Sequence, residues 1–107
     1  SGEDGTALAY LAQGGNGCIS VTANVAPKLC SEMHSAWQKS DIIKAQEINL
    51  KLSSLHDVLF IESSPGPVKY AASLLGLCNE NTRLPLSRIK DDTKQVVKNC
   101  LQELQLL

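Results

Sequence analysis

Four cysteines carry the most reactive side chains of the chain, and their spacing limits the chemistry they can do. Cys18, Cys30, Cys78 and Cys100 contain no C-x-x-C pair, the spacing typical of zinc sites and redox motifs. A zinc site or a disulfide framework is therefore the less favoured alternative. Three of the four cysteines fall where an apolar residue would fit a strand or a helix face. We therefore predict buried thiols of a reducing compartment.

The charges and the hydropathy pattern exclude several kinds of partner. The net charge of the 107 residues is −1, and the ten Lys and Arg are scattered without a block of like charge, which predicts a solvated surface and no binding to nucleic acid or acidic membranes. No apolar run approaches the roughly 20 residues of a membrane span. The first residues, SGEDG, are polar and acidic and lack an initiator Met. We therefore expect no signal peptide and an amputated or processed chain.

The stretch Gly14 to Leu29 is the element that must position any site in this chain. Its glycines can end a helix and turn the chain tightly, because glycine readily adopts positive φ. Cys18 to Val21 is short, β-rich and uncharged, which predicts a strand buried on both faces, as in a parallel sheet. Asn24 is a natural N-cap, and Pro27 suits the first turn of the next helix. We therefore predict a helix, a strand and a helix.

Apolar residues spaced by three and four predict five helices in all. The first runs from about Asp4, its expected N-cap, to Gln13. The next two cover Val25 to Lys39 and about Asp41 to Phe60, separated by almost no loop. Pro67 opens a short helix that Gly76 ends, and a final helix begins near Asp91. The buried row of the third helix is predicted to contain Ile42, Ala45, Ile48, Leu52, Leu55 and Leu59. One strand cannot satisfy its own backbone groups, so a partner chain or missing sequence must supply a sheet.

Four motifs, in this order and at these separations, carry a resemblance to a known family. SGEDG, GGNGCISVTANVAPKL, PGPVKYAASLLGL and RLPL closely resemble the C-terminal part of the dihydrodipicolinate synthase family. This family belongs to the pyruvate-dependent class I aldolases, together with N-acetylneuraminate lyase. The resemblance implies an α/β fold: a (β/α)8 barrel followed by an appended helical domain. Residues 1–40 would be the end of strand seven, helix seven, strand eight and helix eight, and residues 41–107 a three-helix domain.

The resemblance also implies a reaction. In the family, pyruvate forms a Schiff base with a lysine and then condenses with aspartate semialdehyde, in lysine and diaminopimelate synthesis. That lysine lies on strand six, which has no counterpart in this chain, so we expect the chain to be inactive alone. Lys69 matches a lysine of the helical domain, and one turn into a surface helix it is expected to be solvated. The resemblance implies no cofactor, no metal, a cytoplasmic location and a homotetramer.

Few site residues carry over by resemblance. Gly2 matches a strand-seven residue whose backbone lines the pyruvate pocket, and Ile19 matches a strand-eight residue that contacts pyruvate. A plain core role for Ile19 stays open. Glu3 and Asp4 could line the second-substrate side, although capping explains Asp4 equally well. The family's usual Glu-Pro-Asn-Pro is replaced by residues 62–65, Glu-Ser-Ser-Pro, which puts details of the helical domain in doubt.

Two other hypotheses for the function of the chain stay open. It could be a non-catalytic helical interaction module, or part of another aldolase of the superfamily, such as a sialic acid or keto-deoxy sugar acid lyase. Half a barrel would expose apolar surface, so we also expect self-association, as a dimer or by exchange of segments, through the strand-eight region.

Overall fold

A computed structural model describes residues 1–107 and contains five α-helices. They are α1 (Ala7–Ala12), α2 (Pro27–Gln38), α3 (Ile42–Val58), α4 (Gly66–Leu74) and α5 (Asp91–Glu103). Two 3-10 turns, Asp4–Thr6 and Thr22–Asn24, precede α1 and α2. The five predicted helices are therefore confirmed. None of them combines the length and the apolar character needed to cross a membrane.

The predicted strand at Cys18 to Val21 is wrong, because the chain contains no strand. The segment makes only the beginning of a parallel pairing. The Ser1 amino group donates to the Gly17 carbonyl at 2.7 Å, and the Ile19 amide donates to the Ser1 carbonyl at 2.8 Å. Ser1 thus bonds to Gly17 and Ile19, the two residues that flank Cys18. This pattern is typical of adjacent parallel strands. A ladder needs a longer neighbour than Ser1 and Gly2 can provide, so the pairing stops after one residue.

The helix ends follow the predictions in part. Gly14 and Gly76 have φ of +96° and +76°, and they lie just after α1 and α4 as predicted. The Asp41 side chain accepts from the Lys44 amide at 3.2 Å and so caps α3. The predicted Asn24 cap is wrong: α2 begins at Pro27 without a side-chain cap, and Asn24 Nδ2 donates back to the Val21 carbonyl at 3.0 Å.

Helix α3 forms the centre of the core and packs against α2 and α5. Its largest fully buried side chains are Leu52 and Leu55, and the equally buried Leu59 follows directly after the helix. They meet Val97 and Leu101 of α5. Of the predicted row on α3, only Ile42 is exposed, at 40%, because it lies in the first turn of the helix. The apolar spacing therefore identified the face that holds the helices together.

We expect Leu55→Ala to lower the free energy of unfolding by about 3 kcal/mol, since it leaves a cavity in a packed core. Leu55 is 0% exposed, whereas Leu50 of the same helix is 75% exposed. Leu50→Ala is therefore the matched control, with an expected change below about 0.5 kcal/mol. Urea denaturation of both variants measures the difference. Equal losses would contradict this assignment of the core.

Candidate functional site

The start of the chain and the end of α3 form a cavity of about 450 Å³. Gly2, Glu3 and Asp4 line it on one side. His56, Asp57 and Phe60 line it on the other. A Cβ added at Gly2 would meet no atom within 4 Å, so this backbone borders open space. The structure therefore brings three of the four residues singled out in the sequence to one cavity.

Ile19, the fourth residue, does not line this cavity. Its side chain is 88% exposed, so a plain core role is wrong for this chain. Its backbone lies close to the cavity, because the Ile19 amide bonds to the carbonyl of Ser1, which precedes Gly2. Burial of the Ile19 side chain against apolar neighbours would be favourable in free energy. Ile19 is thus the most exposed isoleucine of the chain, and its amide is bonded to the residue before Gly2.

Asp4 is buried, and its carboxylate is used within the chain. Oδ1 accepts a hydrogen bond from the Ser20 hydroxyl, and Oδ2 accepts from the amides of Val21 and Thr22 at 2.9 and 3.1 Å. Its side chain makes no capping bond to its own helix, so the predicted N-cap is wrong. The carboxylate instead fixes the turn that follows Ile19. Sequence reasoning treats caps as local, whereas these partners lie 16 to 18 residues away.

Thr22 connects that turn to helix α3. Thr22 is fully buried, and its hydroxyl lies 2.7 Å from His56 Nδ1. Burial lowers the pKa of His56 from its ordinary value, against the opposing charges of Asp4 and Asp57. The neutral imidazole is therefore favoured, with one ring nitrogen committed to Thr22. His56 was not predicted as a site residue, although its spacing of four from Leu52 and three from Leu59 places it on the buried face of α3.

Glu3 differs from Asp4 in a way that matters for binding. It is exposed, and its hydrogen bonds to Ser1 and Thr6 are made by its backbone. Its carboxylate is therefore free to meet a ligand in the cavity, whereas that of Asp4 is already engaged. No group of three or more His, Cys, Asp or Glu side chains is arranged to hold a metal ion.

A second cavity, of about 230 Å³, lies on the other side of Asp4 and His56 and is lined by Cys18 and Cys30. Burial, together with the charge of Asp4, raises the pKa of Cys30 to about 11 and raises that of Cys18 as well. Burial likewise raises the pKa of Cys100. Thiols with raised pKa contain little thiolate at neutral pH and react slowly. Only Cys100 is buried, whereas Cys18 and Cys30 are half-buried and Cys78 is exposed, so the predicted burial of the thiols is confirmed for Cys100 alone.

Lys69 lies away from both cavities. Its ammonium group donates to the Asn81 carbonyl at 2.5 Å. None of the eight lysines lines the cavity of Gly2, Glu3 and Asp4 or the cavity of Cys18 and Cys30. An amine that attacks a carbonyl must lie against its substrate.

Comparisons with known proteins place this fold. Over all 107 residues, the chain is 55% identical to the 4-hydroxy-tetrahydrodipicolinate synthase of Gluconacetobacter diazotrophicus and covers 36% of that protein. It superposes on dihydrodipicolinate synthase from Thermotoga maritima with a TM-score of 0.98 at 38% identity, covering 100% of this chain and 36% of the other. It also matches the chloride-inhibited synthase from Acinetobacter baumannii complexed with pyruvate, with a TM-score of 0.94, 38% identity and coverage of 100% and 37%.

These relatives define the class of protein, the dihydrodipicolinate synthases, and the chain spans little more than a third of their length. The dihydrodipicolinate synthetase family model itself matches residues 1–104. The chain belongs to the dihydrodipicolinate synthetase family.

We expect an alkylating reagent at neutral pH to modify Cys78 faster than Cys30. Cys78 is exposed, whereas the raised pKa of Cys30 leaves little thiolate. Peptide mass spectrometry over a time course of alkylation gives the order. Modification of Cys30 as fast as that of Cys78 would contradict this prediction.

We also expect a pH dependence of stability that comes from His56. Because its pKa is lowered in the folded chain, the unfolded chain binds more protons below the ordinary pKa of 6.5, and the free energy of unfolding falls as the pH falls. Denaturation at about pH 7.5 and about pH 5.5 should show this loss. His56→Gln should flatten it, while the matched control His34→Gln should keep it. An unchanged slope in His56→Gln would contradict the assignment.

Proposed function

We propose that the chain forms the C-terminal part of a lyase that condenses pyruvate with aspartate semialdehyde, in lysine and diaminopimelate synthesis. The observation that carries this proposal is the family match over residues 1–104. It is supported by a relative named 4-hydroxy-tetrahydrodipicolinate synthase at 55% identity and by a structural neighbour complexed with pyruvate.

In this proposal, residues 1–40 complete a (β/α)8 barrel and residues 41–107 form the appended helical domain. Ser1 and Gly2 would end strand seven, and Cys18 to Val21 would become strand eight once its neighbours are present. The two hydrogen bonds of Ser1 to Gly17 and Ile19 support this, because they follow the pattern of adjacent parallel strands. Strand ends of such barrels carry the active site.

Gly2 and Ile19 then line the pyruvate pocket, and Glu3 lies on the second-substrate side. The open space at Gly2 and the exposed side chain of Ile19 support these roles, since both are available to a ligand. The free carboxylate of Glu3 suits the ammonium group of an amino-acid aldehyde. Asp4 belongs to the same wall, but its carboxylate bonds inward and supports the wall from behind.

The Schiff-base lysine would come from outside these residues. An amine nucleophile at a carbonyl needs a position against the substrate, and no lysine lies at the cavity of Gly2, Glu3 and Asp4. The chain alone is therefore proposed to be inactive. No cofactor enters the proposed reaction, and the four unpaired thiols favour a reducing compartment such as the cytoplasm.

A chimera tests the proposal. The matched 36% of the Gluconacetobacter diazotrophicus synthase is replaced by this chain. We expect the purified chimera to form a borohydride-trapped pyruvate adduct and to turn over aspartate semialdehyde. The isolated chain should form no adduct under the same conditions. A folded chimera without turnover, or a stable adduct on the isolated chain, would contradict the proposal.

Self-association is part of the proposal, as a dimer or segment exchange of this chain and as a homotetramer of the complete enzyme. It is supported by the apolar side chains left in water, with Ile19, Ile43 and Leu50 each more than two-thirds exposed. Light scattering after size exclusion measures the mass. A monodisperse monomer at high concentration would contradict self-association of the chain and leave the chimera assay unaffected.

A further inference from the structure

We propose that Asp4 is a positioning residue: its buried carboxylate shapes the turn after Ile19 and thereby places Ile19 and Gly2 on one wall of the pyruvate pocket. The effect that we expect on kinetics rests on the proposed function. The effect that we expect on the structure of the turn rests on the hydrogen bonds alone. It assigns to Asp4 a role different from contact with the second substrate.

The carboxylate of Asp4 is buried and fully used within the chain. Asp4 is 8% exposed and takes no part in a salt bridge. Both of its oxygens are occupied by donors from Ser20, Val21 and Thr22. Breaking these hydrogen bonds would leave a buried carboxylate and its donors unpaired, which costs free energy. The bonded arrangement is therefore strongly preferred over one in which the carboxylate has left these donors.

These hydrogen bonds hold the backbone in a turn directly after Ile19. Val21 has helical φ and ψ of −78° and −45°, and the 3-10 turn Thr22–Asn24 follows it. The Ser20 hydroxyl also accepts from the Ala23 amide at 2.9 Å. The carboxylate therefore holds the point at which the extended segment bends, directly after Ile19.

The same carboxylate connects the two segments of the proposed pocket wall, which contain Gly2 and Ile19. Asp4 follows Gly2 by two residues, so a carboxylate anchored at residues 20–22 fixes the distance between Gly2 and Ile19. The bonds of Ser1 to Gly17 and Ile19 fix the same two segments from the other end. Thr22, which Asp4 holds by its amide, is held by His56 through its hydroxyl. A continuous series of hydrogen bonds, from Asp4 through Thr22 to His56, therefore connects the wall to α3.

The chemistry of the carboxylate supplies a discriminating substitution. In Asp4→Asn, the amide oxygen can accept from Val21 and Thr22, and the NH2 group can donate to the Ser20 oxygen. This variant removes the charge but keeps the three contacts. Asp4→Ala removes the contacts as well. A positioning role predicts that only the second variant does harm, whereas a charge that binds substrate predicts that both do.

The kinetic test uses the chimera with its substrates. We expect Asp4→Asn to change kcat/KM for pyruvate by less than about threefold, because neutral hydrogen bonds are weaker than charge-assisted ones but keep the geometry. We expect Asp4→Ala to lower it by about 10²-fold, mainly through the KM for pyruvate, because a displaced wall misplaces the substrate. Glu47→Gln, an exposed carboxylate on α3, is the control and should change nothing. Equal large losses in Asp4→Asn and Asp4→Ala, with a raised KM for aspartate semialdehyde, would overturn the proposal.

The structural test uses the 107-residue chain and does not depend on activity. We expect amide hydrogen exchange at Val21 and Thr22 to become faster in Asp4→Ala and to stay slow in Asp4→Asn, relative to the core amides of α3. If Asp4→Ala does not fold, Ser20→Ala removes one of the three contacts and should give intermediate exchange. Slow exchange at Val21 and Thr22 in every folded variant would overturn the proposal. An inactive chimera with the expected exchange pattern would instead contradict the proposed function alone.

Discussion

The hydrogen bonds of one buried carboxylate determine how the first quarter of this chain is arranged. Asp4 holds the amides of Val21 and Thr22, and through Thr22 the contact reaches His56 on α3. Without it, the amides of Val21 and Thr22 would lose their acceptor, which is costly for Thr22 because this residue is fully buried.

The helical part of the fold could be predicted because its signals are local. The spacing of Leu52, Leu55 and Leu59 identified the face of α3 that packs in the core, and Gly76 ended its helix because it accommodates a positive φ. Such features depend on a few neighbouring residues. They hold whatever the rest of the chain does.

The features that were predicted wrongly depend on distant partners. Cys18 to Val21 has the composition of a buried strand, but strand pairing requires neighbours, and only Ser1 pairs with it here. Asp4 and Asn24 have the side chains of N-caps, yet the carboxylate of Asp4 found better donors 17 and 18 residues away. Gly2, Glu3 and Asp4 share a cavity partly because they are consecutive. His56 was missed because a single histidine on an apolar face usually indicates nothing about a site.

In our proposal, two short segments form one wall of the pyruvate pocket, with Ile19 facing the substrate and Asp4 facing the protein. The most direct measurement is a crystal structure of the chimera after borohydride trapping of pyruvate. The account predicts that Ile19 contacts the trapped adduct and that both Asp4 oxygens remain bonded to Ser20, Val21 and Thr22. An Asp4 carboxylate that leaves these donors for the adduct, or an Ile19 side chain remote from it, would contradict the account.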